Sequence, residues 1–175
     1  MPFFDDEFYR SRFHKEPEYL PWIFKWMMDR DFNYKNAADS RIMQVAMLIL
    51  QTHGLSIAEY SWELFGTEKL YSDELQRDLY EQSVQKVDPL NTDCMKLIKA
   101  VGEELKDKSA EYIEILGAIY CLCYHYRSSE QEKQETINKV AELLKIPIMD
   151  SELNINWDFE NAWRASSRLI ARRSI

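Results

Sequence analysis

Between Asp39 and Gly54 lies the segment that most restricts what this chain can fold into. Ile42, Val45, Ala46, Ile49 and Leu50 recur at helical spacing and make one apolar stripe. Met43, Met47 and Leu48 make the opposite side apolar as well. A helix that is apolar nearly all round has to be enclosed by other elements, because any face left to water would expose hydrocarbon. Asp39 and Ser40 offer an N-cap and Gly54 a C-terminal stop, so a helix is expected over about 40–53, serving as the spine of one core. Its longest purely apolar run, residues 45–50, falls far short of the ~20 residues that a membrane span requires.

The rest of the chain has to supply the enclosure. Helices are predicted near 4–14 and over about 21–30, 72–83, 92–106, 110–126, 131–144 and 157–171, the one at 131 showing an inner face through Ile137, Val140, Ala141 and Leu144 and the one at 72 starting from Ser72 as a cap followed by acidic Asp73 and Glu74. Pro17 and Pro21 divide the aromatic first forty residues, which hold Phe3, Phe4, Phe8, Tyr9, Phe13, Tyr19, Trp22, Phe24 and Trp26 among others. Residues 57–71 mix aromatic side chains with Gly66 and keep neither period, so a minor extended piece is placed near 58–65. The joins 106–109, 127–130 and 148–156 read as short polar connectors. Only four glycines and five prolines are present, too few turn formers for a barrel or sandwich of short strands. The expectation is an all-α single domain over 1–175, with 1–36 as an aromatic extension docked on a core of 37–172.

With a net charge of −8 over 175 residues, the summed field repels nucleic acid and anionic lipid and favours a basic or polar partner. The acidic start at residues 1–7 lacks the basic and apolar regions of a signal peptide, which points to the cytoplasm. Cys94, Cys121 and Cys123 are then expected as reduced thiols, the last two packed in the core. His14, His53 and His125 are too dispersed to share a metal ion, and His53 is placed to close the spine helix. The glycines at 54, 66, 102 and 117 are isolated, so no phosphate loop, nucleophile elbow or dinucleotide fingerprint exists. Carboxylate pairs such as Glu103 and Glu104 fit solvated helix faces. No catalytic residue, metal or cofactor is expected, and the reading is of a binding protein.

Two charged surfaces stand out. Glu59, Glu63, Glu68, Asp73, Glu74, Asp78 and Glu81 oppose only Lys69 and Arg77, interleaved with Tyr60, Trp62, Phe65 and Tyr71. Such an acidic, aromatic surface suits a basic protein partner. Near the C-terminus, Arg164, Arg168 and Arg172 recur every four residues on one helix face, the pattern of a phosphate-contacting stripe.

Three blocks, taken in order, resemble the Panacea domain superfamily, the helical domain of SocA-like antitoxins and of small bacterial and phage proteins. Residues 41–51 are similar to that family's opening helix. Tyr60-Ser61-Trp62-Glu63-Leu64-Phe65-Gly66 with Tyr71-Ser72-Asp73-Glu74-Leu75 is similar to its aromatic central segment, with Thr67 where the family carries Pro. Residues 112–120 and 159–163 fall where its later helices stand, so the resemblance covers about 41–170. It implies a compact helical domain without a cofactor that binds a protein, such as a toxin or a protein handed to a protease. Glu63, Trp62, Phe65, Gly66, Tyr71, Ser72, Asp73 and Asp78 are the expected partner-binding residues. Two other readings remain: a DNA-binding regulator with a helix-turn-helix-like element using Arg164, Arg168 and Arg172, and a structural subunit of a phage or bacterial assembly that self-associates through the aromatic N-terminal arm.

Overall fold

A computed structural model describes residues 16–55, 57, 60–62, 71–81, 85–126 and 129–175. The helix expected near 4–14 lies outside them. Helix α1 (Leu20–Met28) follows a 3-10 turn at Pro17–Tyr19 and carries Pro21 in its first turn, where a missing N–H costs nothing. It stops at Asp29, which is left-handed at φ 56° and donates its N–H to the Lys25 carbonyl at 2.9 Å. Leu20, Ile23 and Phe24 are wholly buried, so this part of the aromatic region belongs to the core itself.

Helix α2 (Ala37–Thr52) is the spine, and every residue from Ile42 to Leu50 is buried. It begins earlier than expected, because Asn36 is the cap and its side chain accepts the Ala38 N–H at 3.0 Å. Asp39 does not cap. Its fully buried carboxylate turns back to take two hydrogen bonds from the Arg30 guanidinium, at 2.7 and 2.8 Å, and one from the Asn33 N–H at 3.0 Å. A buried charge needs such partners, and here they pin the turn between α1 and α2. At the far end His53 follows α2, and Gly54 at φ 92° provides the stop.

Helix α3 (Asp73–Glu81) lies on α2. Helix α4 (Thr92–Leu105), capped by the Asn91 side chain on the Cys94 N–H at 2.9 Å, packs on both α1 and α2. Helix α5 (Ala110–Tyr126) is a second buried axis, enclosed from Ile115 to Cys123, and it packs on α2. Helices α6 (Lys133–Leu144) and α7 (Asp158–Ala171) cover its other side. A two-pronged Arg41–Glu114 ion pair, with contacts of 2.5 and 2.7 Å and both side chains mostly buried, ties α2 to α5. The architecture is two central helices with α1, α3 and α4 on one side and α6 and α7 on the other. Among the described residues there is no strand, and no helix is long and apolar enough to cross a membrane.

Candidate partner-binding surfaces

Gln44 and Gln51 stand two turns apart on α2, and each takes hold of the main chain of one residue from the segment that follows. Gln44 Nε2 donates to the Ser72 carbonyl at 3.0 Å while its Oε1 accepts the Ser72 N–H at 2.8 Å. Gln51 does the same for Tyr60, at 3.0 and 2.9 Å. A primary amide presents a donor and an acceptor side by side, so each glutamine pairs with both the N–H and the carbonyl of one residue, as a neighbouring strand would. Ser72 then starts α3, its Oγ accepting the Leu75 N–H at 3.3 Å. Tyr60 donates its hydroxyl to Asp78 at 2.8 Å, and burial together with that carboxylate pushes the phenol well above its ordinary range.

This arrangement sorts the residues expected at the acidic surface. Ser72 is buried and Asp78 is occupied by Tyr60, so both hold the segment in place. Trp62 is half-buried, edge-on to Tyr60 at 6.4 Å, with its Nε1 directed at Gln51 Oε1 at 3.4 Å. Tyr71 is half-buried and Asp73 exposed. Glu63, Phe65 and Gly66 lie outside the described residues. What α3 presents to solvent is Asp73, Arg77, Tyr80 and Glu81. Gln44 and Gln51 were not among the sequence candidates; their signal was a pair of amides seven apart, one inside and one at the end of the otherwise apolar run from Ile42 to Leu50, where an unpartnered amide would be costly.

The basic stripe is largely neutralised. Arg168 makes a two-pronged pair with Glu104, both contacts at 2.9 Å, and Arg164 lies 3.4 Å from Glu160 one turn earlier. Arg172 does not continue the face, because α7 ends at Ala171 and the backbone turns extended there. Among the described residues, no three histidine, cysteine or carboxylate side chains stand close enough to share a metal ion.

A third surface lies where a polar connector was expected. Residues 148–157 form a small hairpin whose Met149 and Ile155 pair antiparallel. The Asp150 N–H donates to the Asn154 carbonyl at 3.0 Å and the Asn156 N–H to the Ile148 carbonyl at 2.7 Å. Met149 and Ile155 thus sit at a non-hydrogen-bonded position, side chains close together on one face. Alternation turns Ile148 inward, where it packs against the core.

The tip is a type I turn closed by Leu153 N–H to the Asp150 carbonyl at 3.1 Å. Asp150 stiffens it: one carboxylate oxygen accepts the N–H groups of Glu152 and Asn154, at 2.9 and 2.8 Å, and the other the Asn154 side-chain amide at 3.0 Å. Those bonds from Asn154 and Glu152 hold the Asp150 carboxyl below its ordinary range. A three-residue loop of this kind puts its last residue in the left-handed region, where Gly or Asn is at home. Here the residue is Leu153, at φ 65° and 75% exposed. Met149 at 45%, Ile155 at 49% and Trp157 at 62% accompany it.

No family model, curated protein or solved structure matches the chain.

Proposed function

We propose that the chain is a non-enzymatic protein-binding domain of antitoxin or adaptor type, and that the hairpin at 148–157 is its principal contact. The observation that carries this is Leu153: a large apolar side chain, mostly in water, held in a left-handed conformation by a turn built around Asp150. Both the exposure and the backbone cost, about 1 kcal/mol for a non-glycine residue, work against the free protein. Burial against a partner would recover roughly 1.5–3 kcal/mol for such a side chain, more than the turn costs. Four large apolar side chains clustered on one short loop are what an interaction patch requires. The acidic, solvent-facing side of α3, with Asp73 and Glu81, supplies a second contact for a basic partner. A nucleic-acid reading loses two of its three cations to Glu104 and Glu160.

The test is affinity capture from source-cell lysate after nuclease treatment, with the wild-type chain beside Leu153→Gly. Glycine suits the turn, so the variant keeps the fold while losing the apolar tip. A stoichiometric protein captured by wild type and lost with the variant is the expected result. Capture of nucleic acid alone from untreated lysate, with no stoichiometric protein once nuclease is added, would overturn the proposal.

A further inference from the structure

We draw no further inference here: the strongest candidate, the exposed apolar patch of Met149, Leu153, Ile155 and Trp157 on the hairpin at 148–157, belongs to the surface already described, and nothing in the structure shows what covers it.

Discussion

Replacing Gly102 by alanine puts the packing of α1 on α4 to a direct test. Within a helix this change ordinarily stabilises by about 1 kcal/mol, because alanine loses less backbone freedom. Here the added Cβ would lie 2.6 Å from the Met27 carbonyl oxygen and 2.8 Å from Met27 Cα, while ordinary contact begins at 3.4 Å. Both atoms are main chain, so no rotamer change relieves the overlap, and α1 has to move away from α4. That movement loosens the buried residues of α1, among them Ile23, Phe24 and Met27. Overpacking of this kind costs about 1–3 kcal/mol, and a backbone neighbour places it in the upper part of that range. The net expectation is a loss of about 1–2 kcal/mol after the propensity gain is subtracted. For a chain of this size that lowers Tm by about 2–8 °C. Circular dichroism melts at 222 nm and urea titrations with an unchanged m-value measure it. Met27→Ala should give no rescue, since the clash is with the main chain. An unchanged or raised Tm would refute the close approach of the two helices.

Gln44→Leu should destabilise by about 1–3 kcal/mol, since it leaves the buried N–H of Ser72 without a partner while the carbonyl keeps the Gln76 N–H at 3.1 Å, and hydrogen exchange at the Ser72 amide should accelerate; slow exchange in the variant would count against the clamp. The Asp150 carboxyl titrates lower folded than unfolded, so its contribution is present above the ordinary carboxylate range and is lost as the pH falls through the depressed value. Protection of the Asn154 amide is therefore expected to hold at neutral pH and to fall below about pH 4, and an amide equally protected at pH 2 would contradict this. Burial pushes the thiols of Cys121 and Cys123 up to about 11, so at pH 8 both stay protonated and enclosed, and iodoacetamide should label the half-buried Cys94 first. Equal labelling of all three in the native protein would mean that α5 is not enclosed as described.

The helices were legible in the sequence because their signals are local. Apolar spacing marks α2 as an enclosed element, since residues three and four apart share a face whatever lies around them. Ser72 as the start of α3 and Gly54 as the end of α2 follow from backbone groups that each helix end leaves unpaired. The cap of α2 was misplaced to Asp39 because Asn36 and Asp39 are both capping types. Only the position of Arg30, brought back by the turn after α1, makes the buried carboxylate an ion-pair member. The partner-binding residues were less legible. Ser72, Trp62 and Asp78 carry the right chemistry for a surface, yet Gln44, Gln51 and Tyr60 draw them into the framework from residues far away in the chain.

The sequence by itself determined an all-helical chain with a spine that had to be covered, because periodicity and end-capping depend on neighbours along the chain. Only the tertiary structure decided which polar side chains are consumed internally and which apolar ones remain outside. Gly102 shows the first kind of contact, its meaning resting on Met27 across a helix crossing. Leu153 shows the second: in a one-dimensional reading it is a lone apolar residue in a polar join, and the closure of the turn around Asp150 turns it out to water. The first depends on residues brought together from different parts of the fold, the second on how the hairpin is seated on the core through Ile148, and spacing along the chain carries neither.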